Sequence, residues 1–562
     1  MLGNSNKMIF LFLLITVGAG TVFCAGNLDI FSNRYFINDD VRQQIFWMER
    51  WRDPQLFQND FLTNYAETYV PIGVKAIYRI ASLWFDPLIF SNILSAALFA
   101  LTAGLWFAWG RTFSDNLTAF LLVVVYFLFT GFQYQMNGGL SRSFVFPLMI
   151  LYLLLVSRGN LFYAALVLFI QPFFNPYVFL LCLFTHSLIM LVKFGPALVS
   201  RLFPNFSNNL GFTNPEGLKE HTVPQILKEL LVLNAPVFLA VAFTIASVVW
   251  YQSSTGHLIS WREMVGKSEY SELGRYQLYP APPFVDELIR PWIFNLSFPY
   301  WGPIAGWIMA LLVVGVFSWA VLNYRPLIKW RGLNGLLFLI PVSLLLYVLA
   351  RLLLVKLFVP RRYITYTLNI VYCIGFAVAI RIILEKMKLS KLRLYALLIA
   401  LLAFACIKGR HIEFFDYSGG ANLYKFIQTT PKNSLIAGWP EVMDNVMTFG
   451  ERPAYVTYKL SHTWVEPYWR EIKKRTFDLF RAYYSSNPEE IRSFCKSNHI
   501  DYLIVRSEDF ELERLKEFPN YFEPFNGFIW YLTNSGNYFA ALDKSVFPPI
   551  FEENGIRVLR FE

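Results

Sequence analysis

Two adjacent aspartates, Asp39 and Asp40, open the stretch "DDVRQQIFWMERW" (39–51), shortly after the first apolar run of the chain. A carboxylate can act as a general base, and repulsion between two neighbouring carboxylates can raise the pKa of one of them toward the range useful for proton removal. The alternative is helix capping, because acids in a first helical turn accept hydrogen bonds from free backbone N–H groups. The pair is therefore a candidate catalytic site, with capping as the competing interpretation.

A group of cations lies late in the chain, within "RLLLVKLFVPRRYITYTL" (351–368). The planar guanidinium group of arginine matches phosphate oxygens, and Pro360 can open the backbone just before the next helix. The alternative is that these long side chains reach the lipid headgroups from a helix end. The candidate phosphate-binding residues are Arg351, Lys356, Arg361 and Arg362, together with Arg142 from the separate segment "GGLSRSF" (138–144).

The chain that carries these residues is strongly apolar. Its 562 residues are 56% hydrophobic and its mean hydropathy is +0.41. Apolar runs of membrane-spanning length recur over the first 408 positions, which predicts an α-helical polytopic membrane protein with about 11 transmembrane helices. The predicted spans are 8–25, 87–109, 117–134, 143–157, 160–174, 177–194, 231–251, 302–323, 335–358, 364–384 and 394–408.

Two parts of this set of spans allow more than one interpretation. The first, 8–25, is interpreted as a retained helix and not as a signal peptide, because no small-x-small cleavage site follows it. The fifth and sixth are joined by "FIQPFFNPYVF" (169–179), in which two prolines indicate either a tight hairpin between two spans or the kink of one broken helix.

The cations between the spans predict the orientation. With a cytoplasmic N-terminus, most short inner loops carry Lys or Arg, as the positive-inside bias requires. The first loop (27–86), a long loop (252–301) and everything after residue 408 then lie on the outer face of the plasma (inner) membrane. Arg361 and Arg362 are on the outer side as well, against the bias, and charges kept there usually face a protein cavity with a partner. The net charge of +10 thus reflects orientation, and no nucleic-acid partner is expected.

The first outer loop should contain a helix that lies flat on the bilayer. Asn38 can cap this helix, Val41, Ile45 and Met48 form one apolar stripe, and Arg42, Glu49 and Arg50 are expected to face water.

The pattern of apolar and polar residues changes after the last predicted span. "NLYKFIQTTPKNSLIAGWP" (422–440) predicts a helix ended by Pro431 and then a short strand. "NPEEIRSFCKSNHIDYLIV" (487–505) predicts a helix capped near Asn487, followed by a buried strand. This alternation predicts an extracytoplasmic α/β domain over 409–562, behind a transmembrane domain over 1–408.

The sequence contains no recognisable metal-binding or nucleotide-binding signature. Four of the five cysteines fall within apolar runs, and the six histidines are scattered without an HxxxH spacing. We therefore assign no metal ligand and no certain cofactor, although Mg²⁺ or Mn²⁺ is possible. The absence of a Rossmann or P-loop motif agrees with a donor that is not a nucleotide.

Three features together indicate one kind of reaction: an outer acid pair, an outer arginine cluster and many apolar helices. A sugar on a polyprenyl phosphate has a tail that needs lipid and a phosphate leaving group that needs cations. An aspartate would remove the proton from an acceptor hydroxyl as the hydroxyl attacks the anomeric carbon. The expected partners are this donor, the bilayer, and a glycan, lipid or protein acceptor.

The chain resembles the integral-membrane glycosyltransferases of the GT-C superfamily, which include protein O-mannosyltransferases, lipid A aminoarabinose transferases and oligosaccharyltransferase catalytic subunits. The matching features are "NDDVRQQIFWMERW" (38–51), "VPRRY" (359–363) and the α/β tail. The resemblance implies Asp39 as the catalytic acid with Asp40 beside it, and a role for Tyr363 next to the arginines. The sequence departs from the family in lacking a second-loop DxD and a WWDYG-like motif, of which "AGWPEVMDN" (437–445) is a faint echo.

Two other functions stay open. A polysaccharide polymerase or ligase also uses lipid-linked sugars, and the loop 252–301 is long enough for one. A non-catalytic transport or assembly protein is the second alternative, although transporters usually contain internal repeats with broken helices in matching positions. Only one proline-interrupted pair, near 172–176, is present.

Overall fold

The computed structural model of the chain describes residues 4–202, 222–278, 328–353, 359–388, 390–516, 520–534 and 538–561, with single positions between 308 and 322. The described helices up to residue 408 are α1 (Asn4–Gly26), α2 (Asp29–Ser32), α3 (Val41–Gln44), α4 (Phe61–Tyr69), α5 (Ile72–Ala81), α6 (Pro87–Phe113), α7 (Asn116–Leu128), α8 (Thr130–Met136), α9 (Val145–Ser157), α10 (Leu161–Ile170), α11 (Pro176–Leu202), α12 (Val223–Thr255), α13 (Trp261–Met264), α14 (Asn334–Leu352), α15 (Arg361–Lys386) and α16 (Lys391–Lys408).

Six of the described helices are long and apolar enough to cross a bilayer, namely Asn6–Gly26, Pro87–Phe113, Pro176–Leu202, Val223–Thr255, Trp330–Leu352 and Arg361–Lys386. The predicted span 117–134 is divided at Phe129 into α7 and α8, which are bent by 67° and would make a seventh crossing if counted as one span. The predicted helix 302–323, apart from a few single positions, and the end of 335–358 lie outside the described residues. The fold class is thus the predicted helical membrane protein, and the count of about 11 crossings stays a prediction.

The proline-rich segment after α10 separates two helices. A short turn over Gln171–Phe173 follows α10, and α11 begins at Pro176. The backbone N–H groups of Tyr177 and Val178 donate to the Asn175 side-chain oxygen at 3.0 and 3.2 Å, so Asn175 caps the new helix. The structure thus shows two separate helices joined by a short 3-10 turn, and the second of them is capped by Asn175.

Close packing of the helices depends on small residues at crossing points. In the contact between α1 and α6, a Cβ atom added at Gly104 would overlap the Thr16 hydroxyl group. The ends of the helices are joined by ion pairs at one side of the bundle, where Arg381 of α15 lies 3.2 Å from Asp115, and Lys193 of α11 lies 3.5 Å from Glu229 of α12. The opposite end of the bundle contacts the C-terminal part of the chain.

The C-terminal part contains α17 (Ala421–Gln428), α18 (Pro440–Phe449), α19 (Glu466–Tyr483), α20 (Pro488–Ser497), α21 (Leu512–Lys516) and α22 (Phe525–Asn534). The strands of the chain are β1 (Phe36–Asn38), β2 (Phe414–Asp416), β3 (Ile436–Gly438), β4 (Tyr502–Arg506), β5 (Phe551–Glu553) and β6 (Ile556–Arg560). A four-stranded sheet has the order β3-β4-β6-β5, with β3 parallel to β4 and the other pairs antiparallel.

The predictions for this part are confirmed in several details. The helix α20 begins after Asn487, whose side-chain oxygen accepts a hydrogen bond from the Glu489 N–H at 3.0 Å. The buried strand predicted from "DYLIV" is β4, at the centre of the sheet, and α17 ends just before Pro431. The α/β fold of the tail is therefore as predicted.

A second, two-stranded sheet connects the tail to the first loop. The strand β1 pairs antiparallel with β2, and Phe36 stands opposite Asp416. Residues 414–416 belong to the predicted C-terminal domain, yet they hydrogen bond to a strand that follows the first helix. The division of the chain at 408/409 into two domains stays a prediction.

Candidate active site

The acid pair lies where β1 turns into α3. The fully buried Asn38 fixes this turn, because its side-chain oxygen accepts the Asp40 N–H at 3.0 Å and its amide donates to the Glu413 carbonyl at 2.8 Å. Asp40 occupies the position before α3, but its carboxylate makes no capping hydrogen bond. The prediction that Asn38 caps the helix is wrong, and capping does not account for Asp40, which leaves its carboxylate available for other contacts.

The predicted membrane-surface helix is also corrected. The α-helix stops at Gln44 and continues as a 3-10 turn over Phe46–Trp51. Met48 is fully buried as expected, but Glu49 is only 4% exposed, and Arg42 donates to the Asn445 side chain at 2.8 Å. The C-terminal part of the chain covers the face of this segment that was predicted to be exposed to water. No pattern within residues 39–51 indicates this contact.

Both carboxylates are held by cations from distant segments. The Oδ1 atom of Asp39 accepts from Arg42 and, at 3.0 Å, from the Tyr417 hydroxyl, while its Oδ2 atom contacts the Lys459 ammonium group. The Oδ2 atom of Asp40 lies 2.6 Å from Arg142, and its Oδ1 atom lies 3.2 Å from Lys459. Lys459 therefore bridges the two carboxylates.

These contacts decide the charge of the pair. Burial disfavours ionisation of both acids, but Arg42 and Lys459 lower the pKa of Asp39, and Arg142, Lys459 and Arg362 hold the pKa of Asp40 well below its ordinary value. The expectation that mutual repulsion raises one pKa is wrong, because the surrounding positive charges outweigh it. Both groups are carboxylates at neutral pH.

The pair remains accessible. The side chains of Asp39 and Asp40 keep 31% and 29% of their surface exposed, although the surrounding protein is dense enough to disfavour their ionisation. This combination is typical of a recess in the protein and not of an open surface, so a small polar group can reach the carboxylates.

The predicted cations divide into those near the pair and those away from it. Arg142 contacts Asp40 and also donates to the Asn38 side chain at 3.1 Å. The guanidinium group of Arg362 lies 5.0 Å from the centre of the Tyr177 ring, near enough to Asp40 to act on its charge. No carboxylate among the described residues forms an ion pair with Arg362.

The other predicted cations have different surroundings. Arg361 starts α15 beside Arg362 and acts electrostatically on Tyr134. Arg351 donates to the Tyr347 hydroxyl at 2.6 Å, one turn earlier in α14, and contacts neither Asp39 nor Asp40. Tyr363 is 1% exposed and packs within the bundle, 5.3 Å from the Tyr177 ring. Lys356 lies outside the described residues.

A further arginine at the site is absent from the sequence-based prediction. The guanidinium group of Arg275 lies 4.0 Å above the Tyr458 ring and 4.9 Å from the Tyr276 ring, and no described carboxylate forms an ion pair with it. Burial raises the pKa of Tyr276 to about 12, against the nearby charges of Arg275 and Arg362. The charges of the two arginines and of Asp40 thus all act on one tyrosine.

The tail supplies two more ionisable groups. Burial raises the pKa of Asp444 to about 7, although Arg42 and the Lys459 backbone N–H, at 2.9 Å, favour its charge. Burial also holds the pKa of His462 well below its usual range, and both of its ring nitrogens are engaged, by Gln43 and by Tyr65. Both side chains are almost fully buried, with 2% of Asp444 and 1% of His462 exposed. Asp444 lies in "AGWPEVMDN" (437–445), the stretch of the tail that is a faint echo of a WWDYG-like motif.

The residues of the site do not fit a divalent metal ion. A metal would need carboxylate oxygens without other partners. All four oxygens of the acid pair instead face Arg42, Tyr417, Lys459 or Arg142. Within the described ranges, no group of three or more His, Cys, Asp or Glu side chains is arranged to hold a metal.

Comparisons with known proteins complete this description. No protein-family model and no curated protein matches the chain. Among solved structures, it is similar to the archaeal oligosaccharyltransferase AglB from Archaeoglobus fulgidus in complex with an inhibitory peptide and a dolichol-phosphate, with a TM-score of 0.44 and 13% identity over 90% of this chain and 70% of that one. The apo form of the Archaeoglobus fulgidus oligosaccharyltransferase gives a TM-score of 0.46, 12% identity and the same coverage.

Another similar structure is the same oligosaccharyltransferase in complex with Zn and sulfate, with a TM-score of 0.44, 12% identity, and 89% and 69% of the two chains covered. These three structures are oligosaccharyltransferases.

Proposed function

We propose that the chain is a glycosyltransferase that moves a sugar from a polyprenyl-phosphate donor to an acceptor at the outer face of the membrane. One observation carries this proposal. Two ionised, accessible carboxylates, Asp39 and Asp40, lie beside two arginines, Arg362 and Arg275, that have no carboxylate partner among the described residues, at one end of an apolar helix bundle.

The two arginines suit the phosphate group of the donor. Each guanidinium group is fixed over a tyrosine ring, at 5.0 Å from Tyr177 and 4.0 Å from Tyr458, so little freedom is lost when an anion binds. Arg362 stands at the first turn of α15, next to the apolar surface of the bundle, where a phosphate can bind while its polyprenyl tail stays in lipid. As the glycosidic bond breaks, these charges stabilise the negative charge that develops on the leaving phosphate.

Asp39 is the proposed general base for the acceptor hydroxyl. Because its pKa is lowered, it is in the basic form throughout the physiological pH range. A weak base suffices in this reaction, since the acceptor hydroxyl becomes strongly acidic as it attacks an oxocarbenium-like anomeric carbon. Asp39 accepts the hydroxyl proton, the new bond to the anomeric carbon forms, and the bond to the phosphate oxygen breaks. Asp40, held by Arg142, stabilises the positive charge of the sugar and fixes its neighbour.

The test is genetic and chemical. In a strain that lacks the gene, the unused polyprenyl-phosphate sugar should accumulate and one glycoconjugate should lose a single sugar, both identified by mass. Loss of long polymer with retention of every repeat unit would instead indicate the polymerase or ligase alternative, which would use the same donor site. An unchanged pool of lipid-linked sugars would contradict the proposal.

A further inference from the structure

Lys459 occupies the space between the two carboxylates of the acid pair. Its ammonium group contacts Asp39 Oδ2 and lies 3.2 Å from Asp40 Oδ1, and its side chain is only 13% exposed. The segment that carries it is fixed, because the Asp444 side chain accepts the Lys459 backbone N–H at 2.9 Å. A cation shared by two neighbouring carboxylates is the arrangement that Mg²⁺ or Mn²⁺ adopts in many sites.

The negative charge of the acid pair is already balanced by the cations around it, without a metal ion. Two carboxylates contribute −2, and Lys459, Arg42 and Arg142, all in contact with them, contribute +3, which leaves the group at +1. A divalent ion brought to this group would be repelled by three fixed cations, and it would also have to displace Lys459 from both oxygens.

From this geometry we infer that Lys459 is a built-in replacement for a divalent cation, and that the acid pair works without a metal. The part of this inference that concerns catalysis rests on the proposed function. Lys459 is a positioning residue: it fixes one oxygen of Asp39 and one of Asp40, so that the acceptor hydroxyl meets an ordered base. It also places the charge on the α/β tail, which contacts Asp39 through the Tyr417 hydroxyl as well.

Metal binding gives a test that needs no substrate. We expect the purified full-length wild type in detergent to bind no Mn²⁺ at the pair when the titration is followed by electron paramagnetic resonance. Lys459→Ala should bind about one equivalent, because it leaves two adjacent carboxylates with space for an ion and its waters. The double variant Lys459→Ala/Asp39→Asn should lose that equivalent, which locates the ion.

Two results would overturn the inference. The first is a wild type that binds one equivalent of Mn²⁺ which Asp39→Asn abolishes. The second is a folded Lys459→Ala that binds none. If Lys459→Ala does not fold, Lys459→Ser takes its place, and the wild-type titration decides by itself whether a metal occupies the pair.

Transfer activity provides the second arm. The wild type and Lys459→Arg should be insensitive to EDTA, whereas Lys459→Ala should lose about 100-fold in rate and regain at least tenfold with added Mn²⁺. A purely structural lysine predicts no rescue by metal, and that outcome would refute the inference. If the wild type transfers no sugar, the proposed function fails while the Mn²⁺ titrations still report on Lys459.

Discussion

The Nη1 atom of Arg142 lies 2.6 Å from the Oδ2 atom of Asp40, although 102 positions separate the two residues. This pair joins the segment between α8 and α9 to the turn between β1 and α3, at one end of the bundle. The same guanidinium group donates to Asn38, the residue that fixes the turn before Asp40. Arg142 thus ties the Asp40 carboxylate to the turn that carries it, whereas Asp39, whose side chain is about as exposed (31% against 29%), is held by Arg42, Tyr417 and Lys459.

Removing each charge should affect both transfer and stability. Asp39→Asn should reduce transfer by a factor of about 10²–10⁴, because an amide cannot take the proton of the acceptor. It should also cost on the order of 1–2 kcal/mol in stability, since Arg42 and Lys459 lose an ion-pair partner. Asp40→Asn should lower transfer and also cost on the order of 1–2 kcal/mol in stability, a value discounted for partial exposure, since Arg142 and Lys459 lose a common partner.

The measurement is complementation of the deletion strain at matched expression, together with thermal unfolding in detergent. Asp416→Asn is the control, because Asp416 is an exposed aspartate in the same region and makes no ion pair with a described residue. Full complementation by Asp39→Asn would exclude Asp39 as the base.

Removing Arg362 or Arg275 should weaken donor binding. Arg362→Ala and Arg275→Ala should each cost about 1.5–3 kcal/mol, the usual value of a hydrogen bond to a charged group, measured as the affinity for undecaprenyl phosphate in detergent. Arg381→Ala is the matched control, since Arg381 lies on the same helix as Arg362 but pairs with Asp115 at the other end of the bundle. Equal affinities for all three variants would contradict a phosphate site at Arg362 and Arg275.

Membrane orientation can be tested with single cysteines in a variant without native cysteines. We expect Cys at positions 64, 271 and 433 to react with an impermeant thiol reagent in intact cells, and Cys at position 390 to react only after lysis. Asn64, Asn433 and Ser390 are exposed in the folded chain, so burial does not obscure the result, whereas the neighbouring Ser434 is only 4% exposed and would not report. Labelling of 390 but not of 271 would invert the topology and place the site on the inner face.

The buried Asp444 should make stability depend on pH. Its pKa is raised to about 7 in the folded protein and lies near 3.9 when unfolded. Between these values the folded state binds more protons than the unfolded state, so this residue lowers stability as pH rises from about 4 to 7. Asp444→Asn keeps an acceptor for the Lys459 N–H and removes the titration.

The variant should therefore be more stable than the wild type at pH 8, by at most a few kcal/mol, and nearly equal to it at pH 4.5. Thermal midpoints in detergent at both pH values measure this, with Asp416→Asn as the comparison for a surface acid. A difference between variant and wild type that is the same at both pH values would show that Asp444 does not titrate in this range.

The apolar helices and the α/β tail could be predicted because each depends on local patterns: run length for α6 and α15, capping for α20, and a bounded apolar run for β4. The choice of Asp39, Asp40, Arg142 and Arg362 also came from local features, such as adjacent charges and cations on the disfavoured side of the membrane. The structure brings these four residues to one region.

The remaining features of the site depend on contacts over long sequence distances. Lys459 is 419 positions from Asp40, and Arg275 lies in a loop with no distinctive pattern, so neither could be selected without the fold. The pKa of the acid pair was predicted in the wrong direction for the same reason, because its sign is set by cations from separate segments. Arg42 was expected to face water, because no residue near it in sequence indicates a contact with Asn445, its hydrogen-bond partner in the tail.

The pairing of β1 with β2 has a consequence for biosynthesis. During translation the ribosome delivers residues 36–38 long before residues 414–416, and Lys459 follows later still. A nascent chain whose helices are already inserted thus carries two adjacent carboxylates that lack the lysine between them. The site is completed only when the last quarter of the chain has folded against the first loop. A premature stop before codon 459 leaves a membrane protein without a working centre, and the order of synthesis itself keeps unfinished molecules inactive.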